Sequence, residues 1–237
     1  YTIKERPEFI SFSVFKRIDW ALFGRILKKG SLLIMSQMMW VLSESFTAAI
    51  YNGRGNAAVV SGMAASFSIA NLFFISFDGI TTATGVLIGK SLGRNELDDA
   101  RKEKTWMLSA AIIFGCIMCL VGVVTVLLVP VVFGNLSIDA QNICRAMLLL
   151  MALFMPLWTF VNTQLAVCRA GGDTKVGFLV DGGTTAVMIP MLLILAFFTN
   201  ASPVMMYFGV KALDVGKIIV ATHEMKKERW VVNLSNA

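Results

Sequence analysis

Charged side chains are scarce in this chain: only 15% of its 237 residues are Asp, Glu, Lys or Arg. Soluble domains carry about 25% charged residues, and 57% of this sequence is hydrophobic, so its polar atoms cannot cover a water-facing surface. The same composition excludes a disordered chain, a collagen and a disulfide-rich secreted domain. It favours a membrane protein, in which each helical crossing takes about 20 apolar residues.

Histidine and the common catalytic motifs are also missing. His223 is the single histidine, and the sequence contains no H-E-x-x-H, no phosphate-binding G-x-x-x-x-G-K-[ST] and no G-x-S-x-G. Cys116 and Cys119 form a C-x-x-C inside an apolar run without a second pair, which favours buried helix residues over a zinc or redox site. We therefore predict that the chain is not an enzyme, binds no metal and carries no cofactor.

Six apolar stretches predict membrane-spanning helices, because they are too long for barrel strands and lack alternation. They cover residues 30–52, 55–89, 105–130, 146–168, 176–199 and 203–222. The second would be about 52 Å long as a straight helix against a core of ~30 Å, so it must tilt, bend or project, with Gly79 and Gly85 as plausible places. Pro156 predicts a kink in the fourth. The predicted fold class is an all-α polytopic membrane protein with a six-helix transmembrane bundle.

Basic residues predict the orientation of these crossings. Seventeen lysines and arginines fall on one side and only Arg54 and Arg145 on the other, so both ends are expected in the cytoplasm. Because the basic residues separate apolar blocks, nucleic acid is not a predicted partner. Residues 1–29 alternate charged and apolar side chains, which indicates an interfacial helix or a cytoplasmic linker between lobes. Residues 30–222 form the predicted transmembrane lobe and 223–237 a cytoplasmic tail; since the chain begins with Tyr1, we expect a fragment of a longer protein.

Glu44 is the acid best placed for function inside the first crossing. Steps of three and four residues align it with Gln37, Trp40, Thr47 and Tyr51 in a polar and aromatic stripe. Since a charge at bilayer depth costs about 2.5–3.5 kcal/mol, the stripe predicts a water-filled cavity in which Glu44 takes up a proton or a cation. The alternatives are a carboxylate hydrogen-bonded within the bundle or hydrated near the outer interface.

Two further acids are candidates for proton or cation coupling. Asp78 shares a face of the second helix with Asn71 and Thr81, although a locally opened helix there is the alternative. Asp181 lies one turn inside the cytoplasmic end of the fifth helix, where simple hydration is the alternative. Both stay open at this point.

Other polar residues in the crossings have two interpretations each. Thr159 and Asn162 on the fourth helix are cavity-lining candidates, with interhelical hydrogen bonding as the alternative. Asp214 is flanked by Lys211 and Lys217 at helical spacing, which predicts an intrahelical ion pair. Fourteen methionines would suit a pocket that repacks around varied apolar ligands, although filling lipid-facing helices is their commoner use.

Two segments carry a family signature. Residues 85–100 read GVLIGKSLGRNELDDA, and their glycines at 85, 89 and 93 predict close approach of another backbone; residues 168–175 read CRAGGDTK and form a cytoplasmic turn. With YNGRG at 51–55 and KKERWVVNL at 226–234, they resemble the multidrug and toxic compound extrusion (MATE) transporters, most closely the bacterial Gram-positive type. The resemblance covers nearly the whole chain and matches the family's C-terminal lobe, helices seven to twelve, after the interlobe linker.

The resemblance implies two six-helix lobes that enclose a cavity and alternate between inward and outward openings. It implies efflux of small cationic or amphipathic compounds coupled to entry of H⁺ or Na⁺, across the plasma membrane, here a bacterial inner membrane, with an N-terminal six-helix lobe and the lipid bilayer as partners. A lipid-linked sugar flippase of the related superfamily and a non-transporting scaffold are the alternatives. Alone, half a pathway is expected to be inactive unless it dimerises.

The resemblance places the family's coupling acids unevenly on this sequence. The acid of helix seven has its nearest counterpart in Glu44, whereas many relatives carry it in an Asn-Glu pair that aligns with Ser36-Gln37. The acid of helix ten has no match, because residues 146–168 contain no Asp or Glu. The N-terminal lobe is therefore an alternative place for ion coupling.

Overall fold

The computed structural model describes residues 19–232, so most of the predicted linker and residues 233–237 lie outside the described residues. All regular structure within that range is helical. The helices are α1 (Trp20–Arg54), α2 (Ala57–Gly93), α3 (Leu97–Val132), α4 (Ile138–Ala170), α5 (Lys175–Phe198), α6 (Pro203–Ala212) and α7 (Asp214–Lys226).

Local sequence sets where these helices begin. The side chains of Asn56, Ser137 and Ser202 accept hydrogen bonds from backbone N–H groups in the first turns of α2, α4 and α6. Helix α1 begins at Trp20 rather than at residue 30, so the described end of the predicted linker continues into the first crossing. Helices of 33 to 37 residues are about 50–56 Å long and must project beyond a hydrocarbon core of ~30 Å.

The five helices α1 to α5 are long and apolar enough to cross a membrane. This result confirms an all-α polytopic membrane protein, but it corrects the sixth crossing. Residues 203–222 do not form one helix: the chain breaks at Leu213 into α6 and α7, which have 10 and 13 residues. Helix α2 is continuous, so the predicted opening of the helix around Asp78 does not occur.

Helix packing divides the bundle into two walls. Helix α4 packs closely along α2 and α3, while α1 packs along α5 and meets α2 at only a few positions. Helix α7 lies against both α4 and α5 and joins the walls. One buried apolar cluster draws side chains from α1, α2, α4, α5 and α6, so the two walls share a core.

Glycine allows the closest helix contacts, although not where the sequence predicted them. An added Cβ would meet no atom within 4 Å at Gly85, Gly89 or Gly93. Close approaches to α4 occur at other glycines: a Cβ on Gly115 of α3 would stand 2.5 Å from Cα of Pro156, one on Gly122 of α3 would stand 2.7 Å from Cβ of Ala152, and one on Gly62 of α2 would stand 2.5 Å from the carbonyl oxygen of Ala140. The predicted contact of the first motif is wrong within the described residues, and the α3–α4 seam has the required glycines.

A packing contact, which we call the clasp, joins the segment after α7 to the turn between α4 and α5. We define it as Gly171 and Trp230, with Arg101, Lys104 and Glu228 around them. Trp230 is buried, and a Cβ on Gly171 would stand 1.9 Å from its carbonyl oxygen. The Lys104 ammonium lies 5.7 Å from the Trp230 ring centroid, and Arg101 Nη2 lies 2.9 Å from Glu228 Oε2. The segment after α7 is thus packed against the α4–α5 turn rather than extended as a free tail.

Candidate functional site: a charged cluster and an open cleft

Glu44 forms an ion pair inside the bundle. The Lys211 Nζ donates to Glu44 Oε1 over 2.6 Å, which joins α1 to α6 across 167 positions of sequence. The side chains of Glu44 and Lys211 are 27% and 13% exposed, so the carboxylate is partly accessible while the ammonium is almost enclosed. Of the three sequence interpretations, the carboxylate held by a partner in the bundle matches this geometry.

Aromatic rings surround the Lys211 ammonium. Its Nζ lies 5.6 Å from the ring centroid of Trp158 and 5.4 Å from that of Tyr207. Ring faces attract cations within about 6 Å, so the rings stabilise the ammonium after its removal from water. We call Glu44, Lys211, Trp158, Tyr207 and Asp214 the charged cluster.

Asp214 completes the cluster at the break between α6 and α7. The indole Nε1 of Trp158 donates to Asp214 Oδ2 over 2.8 Å, and Lys217 Nζ lies 3.1 Å from Asp214 Oδ1. The predicted intrahelical pair is therefore present with Lys217, whereas Lys211 binds Glu44 instead. Because Asp214 begins a new helix after Leu213, its carboxylate also lies at the positive end of the α7 dipole.

Two buried tyrosines close the cluster on one side. Tyr51 is fully buried, and its ring centroid lies 6.3 Å from that of Tyr207. The hydroxyl of Tyr51 is buried without a hydrogen-bond partner among the described residues. Such a hydroxyl has a desolvation cost, which the aromatic packing of this corner must offset.

The predicted stripe on α1 divides between two environments. Thr47 and Tyr51 are buried, and Thr47 Oγ1 donates to the carbonyl of Ser43. Gln37 is exposed and Trp40 is 47% exposed, so neither shares the buried setting of Glu44's neighbours. The five residues are aligned along one helix, but only the later part of the stripe enters the bundle.

Asp181 forms a second polar contact between α1 and α5. Ser36 Oγ donates to Asp181 Oδ2 over 2.5 Å, so this half-buried acid is tied to the wall rather than left to water. The guanidinium of Arg169 lies close to Ser36, because both side chains approach Gly177. A Cβ added to Gly177 would stand 3.5 Å from Ser36 Oγ and 3.7 Å from Arg169 Nη2. Ser36 therefore holds a carboxylate at the position that aligns with the family's Asn-Glu pair.

An open cleft of about 310 Å³ lies between α2 and α4. Its lining residues are Thr81, Thr82, Gly85, Ala166, Arg169 and Ala170. Arg169 is the charged member of this set, and its Nε is buried without a hydrogen-bond partner among residues 19–232. Its guanidinium lies beside α5, because a Cβ on Gly177 would stand 3.7 Å from Nη2 and 3.8 Å from Nε.

The remaining candidates lie in three settings. Asp78 and Asn71 are exposed on α2. Thr81 lines the cleft, and its Oγ1 donates to the carbonyl of Phe77. Thr159 is fully buried and faces α3, because a Cβ on Gly115 would stand 3.2 Å from its Oγ1. Asn162 is half-buried and donates to the carbonyl of Trp158. The structure thus brings neither Asp78 nor Asp181 into the charged cluster with Glu44.

Sequence reasoning missed the partner of Glu44 and two further polar contacts. The sequence predicted that Lys211 pairs with Asp214 on its own helix. A lysine within a membrane-spanning segment is, however, itself a reason to look for an acid on another helix. Trp158 and Ser36 gave no signal, because a tryptophan or serine in an apolar run is unremarkable. No three His, Cys, Asp or Glu side chains of the described chain are grouped so as to hold a metal ion.

Comparison with known proteins agrees with this architecture. The model of the MatE family, a family of membrane transporters, matches residues 33–194, more than half of the chain. The chain belongs to this family. None of the curated proteins compared with the chain matches it.

A similar solved structure supports the fold of this MatE-family chain. It is a MOP superfamily transporter from Pyrococcus furiosus Vc1 (DSM3638), described as having a binding pocket of reverse polarity that suggests a different function. The TM-score is 0.71 at 12% identity, over 84% of this chain and 43% of that one. At this identity the likeness concerns the fold alone, and the chain spans less than half the length of that transporter.

Proposed function

We propose that the chain is one lobe of a secondary active efflux transporter, which exchanges H⁺ or Na⁺ for small cationic or amphipathic compounds by alternating access. The ion pair of Glu44 and Lys211 in its aromatic setting carries the proposal. Intramembrane charges are rare, face bundle interiors or water-filled cavities and mark ion pathways in transporters. Membership of the MatE family supports the same function.

Lys211 acts in this proposal as a tethered cation. While Glu44 is ionised, the pair holds α6 against α1. A proton on Glu44, or a Na⁺ or cationic compound that competes for the carboxylate, removes the attraction and leaves the ammonium to the rings of Trp158 and Tyr207. The pair therefore provides two discrete arrangements whose populations an ion gradient can shift, which coupling requires.

A second six-helix lobe is the proposed partner. The chain spans 43% of the length of the MOP transporter that it resembles in fold. The second lobe would enclose a central cavity together with this one, within a plasma membrane. The excess of basic residues on one side supports a cytoplasmic position for both ends. Chemistry on a substrate is not part of the proposal, and neither is a cofactor.

The test is gradient-driven efflux in proteoliposomes that contain the complete two-lobe transporter. Glu44→Gln is expected to lower gradient-driven efflux of a cationic dye by about tenfold, since one charge-assisted interaction of 1.5–3 kcal/mol is lost. Asp139→Asn, an exposed acid in the first turn of α4, is the matched control and should transport normally. Efflux at the wild-type rate by Glu44→Gln would remove Glu44 from the mechanism, and insensitivity of the wild type to both gradients would favour a scaffold.

A further inference from the structure

We propose that an exposed stripe of α2 is the surface against which a second helical lobe packs, and that Asp78 in this stripe binds a basic or hydrogen-bond-donating side chain of that lobe. The stripe consists of exposed residues spaced alternately three and four positions apart, which share one edge of the helix: Ser68, Asn71, Ile75, Asp78 and Thr82. The inference rests on the proposed two-lobe function, because it identifies where the partner of this chain binds.

Asp78 lies deep in the apolar part of α2. The α2–α3 register is set by the hydroxyl of Ser91, which donates to Glu103 over 2.7 Å. In this antiparallel register Lys90 and Lys104 lie at one level, and they are the basic residues nearest to the apolar stretches of the two helices. Asp78 lies twelve positions from Lys90, about 18 Å along the axis and more than half of a ~30 Å hydrocarbon core. Its carboxylate therefore lies too deep to stay hydrated at the membrane surface.

The carboxylate of Asp78 has no partner within this lobe. Among the described residues it forms no ion pair and accepts no hydrogen bond, although the backbone carbonyl of Asp78 accepts the hydroxyl of Thr81. Helix α1 meets α2 at only a few positions and leaves the stripe exposed. Ionisable residues at bilayer depth almost always face a bundle interior or a water-filled cavity, so the exposed carboxylate indicates a neighbour outside the described chain.

Helix α3 provides the lipid-facing comparison at the same depth, since the register places Asp78 level with Cys116. From position 110 to position 132, the exposed side chains of α3 are alanine, isoleucine, leucine and valine, together with Cys116. Ile113, Ile117 and Leu120 are 63%, 50% and 68% exposed, as suits contact with lipid tails. The α2 stripe is polar at four of its five positions, so it is the stripe that requires a protein or aqueous cover.

A second lobe is the occupant that fits this surface. The chain spans 43% of the length of the transporter that it resembles in fold, so more than half of that protein has no counterpart here. Membrane helices pack through small residues and through polar side chains that hydrogen-bond across the interface. A helix that offers a donor opposite Asp78 would satisfy the carboxylate, and Asn71 and Thr82 would add hydrogen bonds on either side.

The test is electron paramagnetic resonance on the complete two-lobe transporter in liposomes, with one spin-labelled cysteine at a time in an otherwise cysteine-free background. Asn71→Cys, Asp78→Cys and Thr82→Cys label the stripe, while Ile113→Cys and Ile117→Cys label α3 as the matched controls. O₂ concentrates in the hydrocarbon core, so its collision rate with a label measures exposure to lipid. We expect the high O₂ collision rate of the α3 labels to be lost at the stripe, including the two positions that leave Asp78 in place.

A substitution of the acid tests its charge. Asp78→Leu should lower the melting temperature of the complete transporter by about 5 °C or more, because the donor of the second lobe loses its buried carboxylate. If the residue faced lipid, the same change would raise stability by removing a costly charge. Glu96→Leu removes an exposed acid of the α2–α3 turn and should stay within about 2 °C of the wild type.

Three results would overturn the proposal. They are O₂ collision rates at the stripe equal to those on α3, a melting temperature that Asp78→Leu raises or leaves unchanged, and disulfide formation between two copies of the Asp78→Cys transporter, which would identify a second copy as the cover. Neither measurement depends on transport. A shielded stripe in a protein that moves no solute would therefore contradict the efflux function while supporting the interface.

Discussion

The clasp and the charged cluster both join parts of the chain that are distant in sequence, but they do so by different physics. In the clasp, Trp230 is buried against the backbone at Gly171, so shape dominates. In the cluster, Glu44 on α1 and Lys211 on α6 are held together by charge. Close packing fixes one geometry, whereas an ion pair with access to water can open when a proton or another cation arrives. The difference assigns rigidity to the clasp and the capacity to switch to the cluster.

The largest expected effect is loss of the clasp in Gly171→Ala. The added Cβ would lie 1.9 Å from the carbonyl oxygen of Trp230 and 2.5 Å from its carbonyl carbon, and these are backbone atoms that cannot rotate away. The C-terminal segment must leave its site, at a cost of about 3–5 kcal/mol if the burial of Trp230 is lost. Thermal unfolding in detergent measures the loss, and a red shift of tryptophan fluorescence reports the exposed indole.

Gly93→Ala is the matched control for that substitution, since a Cβ there would meet no atom within 4 Å. It should leave both the melting temperature and the fluorescence unchanged. Wild-type fluorescence in Gly171→Ala would show that the clasp can shift as a unit, and the contrast with the charged cluster would disappear.

Removal of one partner of the ion pair comes next. Lys211→Met leaves the Glu44 carboxylate half-buried without its cation, which should cost about 2–3 kcal/mol, less than for a fully buried pair because 27% of the Glu44 side chain is exposed. The double variant with Glu44→Gln should recover most of that loss. A double-mutant cycle on thermal stability measures the coupling, and additive effects would mean that the pair does not hold α6 against α1.

The sequence predicted the helices far better than the contacts between them. Long apolar runs predicted α1 to α5, because hydrophobic length alone decides membrane insertion. The break at Leu213 was not predictable, since residues 203–222 contain no internal glycine–proline pair and their charges have helical spacing. Which acid meets Lys211 depends on how α6 packs against α1, and no periodicity within one helix contains that information.

The glycines teach the same lesson in reverse. The four-residue spacing of Gly85, Gly89 and Gly93 resembles a packing motif. A Cβ added at any of these glycines, however, would meet no atom of another element within 4 Å among the described residues. Gly115 and Gly122 are seven residues apart and carry the α3–α4 seam. A small-residue pattern indicates where backbones can meet, but the opposing surface decides whether they do.

Trp158→Phe should have a moderate effect that is confined to the charged cluster. The variant keeps a ring to stack on Phe154, whose centroid lies 5.8 Å away, but loses the N–H that Asp214 accepts. An unpaired carboxylate oxygen at a mostly buried acid should cost about 1–3 kcal/mol in thermal stability. Trp106→Phe, at a residue 69% exposed on α3, is the control. Equal loss in both variants would mean that ring size rather than the hydrogen bond matters at Trp158.

The smallest expected effect concerns the ionic part of the clasp, where Arg101 donates to Glu228 and holds the pKa of that carboxyl below its usual value. Because the unfolded chain then binds the proton more tightly, this contact stabilises the fold above the unfolded pKa of about 4.3 and is lost as the pH falls through the lower folded pKa. The difference in melting temperature between the wild type and Glu228→Gln should therefore be constant at neutral pH and shrink in acid. It should also shrink in 1 M salt, since both side chains are exposed.

Glu96→Gln, at an exposed acid that makes no capping hydrogen bond, is the control and should show no such profile. A pH-independent difference for Glu228→Gln would mean that Glu228 acts through packing, and the clasp would then depend on shape alone.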